Sequence, residues 1–216
     1  EIIRTKEQVK GELRVGASTT ISLYVLPKVL SLFHKQYPNI LILLKNRNSE
    51  NIQKALLNKE IDVAVVEEHH KGNAFQSTFF MEDEIIPVCS SLSPYAKSKI
   101  SMADLKEFPL IMREQGSGTL AAVVKELSKN KVKHKELKIM ARLGGTEALK
   151  NYLIVDEAIG FLSKMAITKE LESGTLREVQ LESFKANRKF YFVTRKGEDI
   201  SGMIKTFIET GKSLYN

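Results

Sequence analysis

Two glycine-containing segments carry side-chain hydroxyls where a strand is predicted to pass into a helix. They are Gly16-Ala17-Ser18-Thr19-Thr20 and Gly116-Ser117-Gly118-Thr119. The first turn of a helix leaves backbone N–H groups unpaired and carries a partial positive charge, so each segment can donate several hydrogen bonds to an anion. Because there are two such segments, they could hold one small anion between them. This pattern predicts ligand sensing.

The residues expected to contact the ligand combine these hydroxyls with the start of a later helix. They are Ser18, Thr19, Thr20, Ser117, Gly118, Thr119, Thr146 and Glu147. Three hydroxyls in a row exceed what one helix cap needs, although capping alone remains the alternative for Ser18 to Thr20. A flexible turn with a threonine cap is the alternative for Gly116 to Thr119.

Enzymatic chemistry finds less support in the same residues. The spacing Gly116-x-Gly118-x-x-Ala121 fits the dinucleotide fingerprint, but the next predicted strand ends without the acidic residue that would hold a ribose. Ser117 lacks the Gly-x-Ser-x-Gly context of a hydrolase nucleophile. We therefore predict no catalytic residue and no cofactor.

Histidine and cysteine also point away from catalysis and metal binding. The only cysteine, Cys89, excludes an internal disulfide, and its apolar surroundings indicate a buried structural role. The pair His69-His70 raises the alternative of a metal ligand, but adjacent side chains on an extended segment point to opposite sides. We predict no metal site.

Composition indicates an ordinary folded protein. The 216 residues are 43% hydrophobic and 27% charged, which suits one large core or two small ones. The sequence has no apolar run of membrane-spanning length and no secretion signal, so we expect a cytoplasmic protein unless a signal was removed. The formal charge of +7 raises nucleic-acid binding. Much of that excess falls between Lys125 and Lys138, a run without stacking aromatics that is typical of a solvated surface.

Alternating strand and helix patterns extend along the whole chain. Strands are predicted at Leu13–Gly16, Ile40–Leu44, Ile61–Val66, Phe75–Met81, Ile85–Val88, Pro109–Met112, Leu137–Ala141, Ala158–Leu162, Leu176–Val179 and Phe190–Thr194. Helices are predicted at Ile21–Tyr37, Ile52–Asn58, Leu120–Leu127, from Thr146, at Lys164–Leu171 and at Ile200–Leu214. The order strand, helix, strand, helix, strand gives two right-handed crossovers and an open parallel sheet, and it occurs twice. The helix Ile21–Tyr37 carries a wider apolar face than one core needs.

The repeated order predicts an α/β protein of two Rossmann-like subdomains joined by two crossover strands. Residues 1–12 would be the end of a linker, residues 13–88 with 190–216 the first subdomain, and residues 89–189 the second. Ligands of such sheets bind beyond the carboxyl ends of the strands, which places the expected site in the cleft between the subdomains.

Six segments in order resemble the effector-binding domain of LysR-type transcriptional regulators. They are GELRVGASTT at 11–20, Leu26-Pro27, Phe33-x-x-x-Tyr37-Pro38, DVAVVE at 62–67, GTEALK at 145–150 and IGFLSK at 159–164. The resemblance covers nearly the whole chain from Leu13. The Ser-Thr-Thr helix start and the Gly-Ser-Gly-Thr loop are most similar to the branch that governs sulfur assimilation, with carbon-fixation regulators close to it.

The resemblance implies a periplasmic-binding-protein-like fold with a small-molecule inducer, sulfate-like, carboxylate or phosphate, in its cleft. Ser18 and Thr20, Gly118 and Thr119, and Thr146 match the family's ligand contacts. It also implies head-to-tail homodimers, and tetramers of the full-length protein. The dimer contacts are expected at Val25, Val29, Leu32, Ile40 and Ile42.

Two departures from the family pattern qualify these expectations. The winged helix-turn-helix is not in this sequence, so we expect DNA binding only through that missing domain, and no membrane partner. Relatives usually have a glycine pair near Ile154–Gly160, where this sequence keeps only Gly160, and Asp156 and Glu157 would make that wall of the cleft more acidic. The alternative functions are a solute-binding protein of an ABC transporter with its signal removed and, third, an enzyme such as a dehydratase or deaminase.

Overall fold

The computed structural model describes residues 9–67, 74–198 and 200–215, and the chain divides into two compact units. Unit 1 contains the residues up to Glu82 and those from Lys189 onward, and unit 2 spans Asp83–Arg188. The boundary predicted from the sequence, between residues 88 and 89, lies six residues after the first boundary between the units, which follows Glu82. Within the described part of the chain, no helix combines the length and the apolar character needed to cross a bilayer.

Unit 1 is a sheet with helices. Its strands are β1 (Gly11–Ala17), β2 (Ile40–Asn46), β3 (Val63–Glu67), the first half of β4 (Phe75–Ser90) and most of β11 (Ala186–Arg195), in the order β2-β1-β3-β11-β4. Its helices are α1 (Thr19–Tyr24), α2 (Leu26–Gln36), α3 (Ser49–Leu57) and α7 (Gly202–Tyr215). Both neighbours of β1 are parallel to it, whereas β11 is antiparallel to β3. Phe207 of α7 packs edge-on against both Phe33 and Phe192 in the core.

Unit 2 repeats the parallel arrangement. Its strands are the second half of β4, β5 (Lys99–Ile100), β6 (Leu110–Arg113), β7 (Ile139–Leu143), β8 (Ile159–Ser163), β9 (Leu176–Glu178) and β10 (Gln180–Leu181). Its helices are α4 (Gly118–Lys129), α5 (Thr146–Val155) and α6 (Thr168–Ser173). The main sheet runs β4-β8-β6-β7, and β6 is parallel to both β7 and β8. The predicted α/β class and the parallel sheets are confirmed.

Several predicted elements differ from the structure. The helix predicted over Ile21–Tyr37 is two helices, because Pro27 has no N–H to continue the hydrogen bonding of the first helix and occupies the first turn of the second. The two strands predicted on either side of Glu82 are one continuous strand, β4. An uninterrupted apolar run such as Ile40–Leu44 is the pattern of a strand covered on both faces, but β2 lies at the edge of its sheet with Leu41, Leu43 and Leu44 exposed.

The residues expected at the dimer interface lie in the same region, and three of the five are buried within unit 1. Val25 is 2% exposed, Val29 is fully buried and Ile40 is 2% exposed, so these side chains belong to the core of unit 1. Leu32 and Ile42 are only half-buried. The most exposed apolar side chains of β2 are Leu41 at 58% and Leu43 at 44% exposure. Side chains alternate between the faces of a strand, so Leu41 and Leu43 lie on the face opposite to Ile40 and Ile42.

Cys89 is buried in the core of unit 2. Burial raises the pKa of its thiol, although a hydrogen bond with Ser93 acts in the opposite direction. A thiol with a raised pKa is a poor nucleophile, which agrees with the predicted structural role.

Candidate ligand-binding site

The first hydroxyl segment, Ser18 to Thr20, lies in unit 1, and its serine does not cap the helix that follows. Ser18 precedes α1, a helix of six residues, but its side chain makes no capping hydrogen bond. Its hydroxyl is buried and has no hydrogen-bond partner among the residues that the structure describes. The backbone N–H of Ser18 donates to the carbonyl oxygen of Val65 at 3.1 Å, which fixes the segment against β3. Thr20 is buried beside it, while Thr19 is half-buried.

Gly16 serves packing rather than ligand contact. A methyl group on its α-carbon would lie 2.3 Å from Cδ1 of Ile61 and 3.3 Å from Ile52. Glycine is therefore required at position 16, because the side chains of Ile61 and Ile52 occupy the space that a larger residue would need.

The second hydroxyl segment lies in unit 2, and its first hydroxyl is a helix cap. The Oγ of Ser117 accepts a hydrogen bond from the backbone N–H of Leu120 at 3.4 Å and caps α4. Gly116 has φ of +83°, a backbone conformation that favours glycine. Gly118 is the first residue of α4 and is buried. The cap and the tight turn direct the start of α4 toward the carboxyl end of β6.

Thr119 is held by a buried ion pair that the sequence did not reveal. Arg188 on β11 donates from Nη1 to the hydroxyl oxygen of Thr119 at 3.0 Å. The same guanidinium places Nε and Nη2 each 2.7 Å from Oδ2 of Asp83 on β4. The other carboxylate oxygen of Asp83 accepts from the hydroxyl of Ser163 at 2.8 Å. All four side chains are buried, so the pair compensates two charges that would otherwise be costly to bury.

Thr146 is held in the same way by a second arginine. Arg113, the last residue of β6, donates from Nη1 to the hydroxyl oxygen of Thr146 at 3.0 Å. Its Nε and Nη2 donate to the two carboxylate oxygens of Glu114 at 2.8 and 3.0 Å. Burial alone would raise the pKa of Glu114, but hydrogen bonds from Arg113 and from the backbone of Gly145 lower it overall.

Thr146 begins α5 and does not cap it. Gly145 is the N-cap residue, with φ of +87°, and Thr146 is the first residue of the helix. The hydroxyl of Thr146 is therefore available to Arg113 instead of being used on the helix end.

Glu147 takes part in an ion-pair cluster. Lys150 lies 2.9 Å from Glu147 and 3.1 Å from Glu170. Burial acts to lower the pKa of Lys150, but the two carboxylates outweigh it and raise the pKa. Glu147 therefore has a structural partner in unit 2, and a direct ligand contact by Glu147 stays a prediction.

The two arginine clusters meet at a small cavity in unit 2. Its volume is about 10 Å³, enough for roughly one water molecule. It is lined by Met112, Arg113, Thr119, Leu120, Val123 and Phe161. Arg113, which binds Thr146, and Thr119, which binds Arg188, thus line the same space. Beyond the carboxyl ends of the parallel strands β6 and β7, the structure brings together Ser117, Gly118, Thr119 and Thr146.

Asp156 and Glu157 lie at the opposite edge of that sheet, so the expectation that they acidify the site is wrong. They precede β8, whose first residue Ile159 pairs with Leu110 at the amino end of β6. Asp156 accepts a hydrogen bond from the backbone N–H of Ala158 at 2.8 Å. Its charge is used locally in the turn before β8.

A buried carboxylate in unit 1 was also missed. Glu67 ends β3 and is 4% exposed, and it accepts a hydrogen bond from the hydroxyl of Ser49 at the start of α3. Ser49 does not cap α3, because Asn48 does so by accepting from the N–H of Asn51 at 3.0 Å. Charged residues at the ends of apolar strands, such as Arg113 and Glu67, were a visible signal for buried polar partners.

Metal binding is not indicated by the described residues. Across 9–67, 74–198 and 200–215, no three histidine, cysteine, aspartate or glutamate side chains lie together as a metal would require. The pair His69-His70 lies outside the described residues.

Comparison with known proteins identifies the class to which this arrangement belongs. The model of the LysR substrate binding domain matches residues 6–214, and the chain belongs to that family. A probable RuBisCO transcriptional regulator of Phaeodactylum tricornutum is 30% identical, over 100% of this chain and 71% of the relative. The HTH-type transcriptional regulator CysL of Bacillus subtilis is 28% identical over the same shares.

Among solved structures, the chain is similar to the regulatory domain of CcmR from Synechocystis PCC6803 in complex with 2-PG. The TM-score is 0.85 and the identity 27%, covering 96% of this chain and 98% of that one. The resemblance to LysR-type regulators and the periplasmic-binding-protein-like fold of two subdomains are thus confirmed.

Proposed function

We propose that this chain is the effector-sensing domain of a transcriptional regulator and that it binds a small anionic metabolite. One observation carries the proposal: in unit 2, two buried arginines bind the hydroxyls of Thr119 and Thr146, and both hydroxyls belong to the first turn of a helix. Helix starts favour negative charge.

The chemistry of this arrangement suits a sulfate-like group, a carboxylate or a phosphate. Each buried arginine is paired with a carboxylate, Asp83 or Glu114, so the arginines add little net charge. Hydrogen-bond donors from hydroxyls and from the first backbone N–H groups of α4 and α5 would supply the affinity. The complex of the CcmR domain with 2-PG supports a small-molecule effector.

Ser18, Thr19 and Thr20 of unit 1 complete the proposed ligand contacts. The buried hydroxyl of Ser18, without a partner among the described residues, supports this role because a buried polar group normally has one. The position of the ligand in a cleft between the subdomains, which the resemblance implies, stays a prediction.

We further propose that the domain acts without catalysis, in the cytoplasm, and as a homodimer. The relatives are named as transcriptional regulators, and the name of CysL specifies the HTH type. A helix-turn-helix elsewhere in the full-length protein would therefore bind the DNA. The exposed apolar side chains Leu41 and Leu43 of β2 form the proposed dimer surface.

Thermal unfolding with a panel of sulfate, thiosulfate, phosphate, O-acetylserine and 2-PG tests the proposal. A ligand at 100 times its Kd stabilises a protein by about 2.7 kcal/mol, or roughly 5–10 °C for this size. Thr119→Val and Thr146→Val should each weaken the binding of the stabilising compound about tenfold. Thr168→Val, at an exposed threonine on α6, is the matched control. If no compound raises the melting temperature, the anion-sensing proposal is wrong.

A further inference from the structure

Thr119 and Thr146 of unit 2 have the same kind of partner. Nη1 of Arg188 lies 3.0 Å from Oγ1 of Thr119, and Nη1 of Arg113 lies 3.0 Å from Oγ1 of Thr146. A guanidinium is a donor only, so in both contacts the threonine oxygen is the acceptor. The hydroxyl proton of each threonine must therefore be directed away from its arginine.

Both arginines are themselves fixed by carboxylates. Arg188 uses Nε and Nη2 on Asp83, and Arg113 uses the same two nitrogens on Glu114. Asp83 is in turn bound by the hydroxyl of Ser163. In each guanidinium, the third nitrogen, Nη1, donates to the threonine hydroxyl. Arg113 is 3% exposed and Arg188 is 6% exposed, so both side chains have little freedom to adopt another geometry.

We propose that Arg188 is a positioning residue that makes the hydroxyl of Thr119 a hydrogen-bond donor toward the ligand. Such a site selects groups that accept hydrogen bonds, such as fully deprotonated sulfate-like, phosphate or carboxylate oxygens, over ammonium groups, which can only donate. A hydroxyl that accepts from a charged donor also becomes a better donor, since hydrogen bonds in a chain polarise one another. This inference rests on the proposed anion-binding function and names the group that the site recognises.

A test without ligand uses the side-chain conformation of Thr119. Three-bond NMR couplings to the Thr119 methyl group report whether χ1 occupies one rotamer or several. Arg188→Gln combined with Asp83→Asn removes both charges, so that no unpaired buried carboxylate is left to unfold the domain. The matched control is Lys164→Gln with Glu84→Gln, which removes an exposed ion pair of 3.1 Å in the same unit.

We expect Thr119 to occupy one rotamer in the wild-type chain and in the control, and to average between rotamers in the Arg188→Gln, Asp83→Asn variant. If Thr119 keeps one rotamer in that variant, Arg188 does not position it and the inference is overturned.

A second test is a double-mutant cycle on sulfate affinity, in which Arg188→Gln is always combined with Asp83→Asn so that no unpaired buried charge is left. Thr119→Val and Arg188→Gln should each weaken sulfate binding by about tenfold, and the two together by about the same factor. Equal effects of this kind are expected only when Arg188 acts through Thr119. A combined loss of about a hundredfold, or no effect of Arg188→Gln with Asp83→Asn, overturns the inference. Failure of the wild-type chain to bind any oxyanion contradicts the proposed function instead, and the NMR measurement still decides the role of Arg188.

Discussion

Arg188 and Asp83 form a buried ion pair at the two places where the chain passes from one unit to the other. Asp83 is the first residue of unit 2 and Arg188 the last, and the pair has two nitrogens 2.7 Å from one carboxylate oxygen. The same guanidinium binds Thr119. The ends of unit 2 are thus connected to a residue of the candidate ligand site by direct hydrogen bonds.

Removing one member of this pair should destabilise the protein strongly. Arg188→Met leaves the buried carboxylate of Asp83 without its counter-ion and should lower the free energy of unfolding by about 3–5 kcal/mol. Arg188→Met with Asp83→Leu should recover most of that loss, because replacing a buried pair by apolar residues is often neutral. Urea unfolding followed by circular dichroism measures both values. A single variant within about 0.5 kcal/mol of wild type would show that the pair contributes little.

Gly16 should tolerate alanine only when Ile61 is shortened. The added methyl group would lie 2.3 Å from Cδ1 of Ile61, and overpacking of this kind costs about 1–3 kcal/mol. Ile61→Val removes Cδ1, so Gly16→Ala with Ile61→Val should be more stable than Gly16→Ala alone. Gly144→Ala is the control, since nothing lies within 4 Å of its added carbon. Equal stability of Gly16→Ala and Gly144→Ala would contradict the packing role.

The contribution of Glu114 to stability should depend on pH in the acid range. Burial acts to raise its pKa, but hydrogen bonds from Arg113 and Gly145 outweigh it, so the folded-state pKa lies below the ordinary value of 4.5. The ionised carboxylate therefore stabilises the fold above pH 4.5, and this stabilisation is lost as the pH falls through the folded-state pKa. Wild type should exceed Glu114→Gln in stability at pH 6, with the difference shrinking below pH 4.5. Unfolding free energies measured across this range check the trend, and a difference that grows toward acid would refute it.

Charged substitutions on the exposed face of β2 should weaken dimerisation. Leu41 and Leu43 lie on the same face of an edge strand, so Leu41→Lys with Leu43→Lys places two charges on the proposed dimer surface. Analytical ultracentrifugation should then give a dimer Kd raised by at least about a hundredfold. Leu92→Lys, at a leucine of unit 2 that is 90% exposed, should leave the Kd unchanged. If the β2 variant still associates like wild type, another surface forms the dimer.

The sequence predicted the hydroxyl segments because their residues are adjacent along the chain. Each pattern spans only a few consecutive residues, Gly116 to Thr119 in one case and Gly145 to Thr146 in the other. The helices α4 and α5 begin at these residues. The arginines that hold the hydroxyls could not be paired from sequence, because Arg188 and Asp83 are 105 residues apart. Their contact depends on two strands that only the fold brings together.

The expectation that the apolar run Ile40–Leu44 is covered on both faces failed for a different reason. An uninterrupted apolar strand is expected either in the middle of a parallel sheet or at an edge that another chain covers, and the two cases have the same composition. Only the strand order placed β2 at the edge, with Leu41 and Leu43 outward. The core helix α7 raised no such ambiguity, because helical spacing of apolar residues defines one buried face.

The position of a bound oxyanion tests the account most directly. Crystals of this domain soaked in selenate, a sulfate analogue whose selenium scatters anomalously, should show a selenium peak with oxygens within about 3 Å of the hydroxyls of Thr119 and Thr146. Arg188 and Arg113 should remain bound to those hydroxyls in the same crystal. Selenate bound away from both threonines, or bound directly by the two guanidinium groups after their contacts with threonine are lost, would contradict the account.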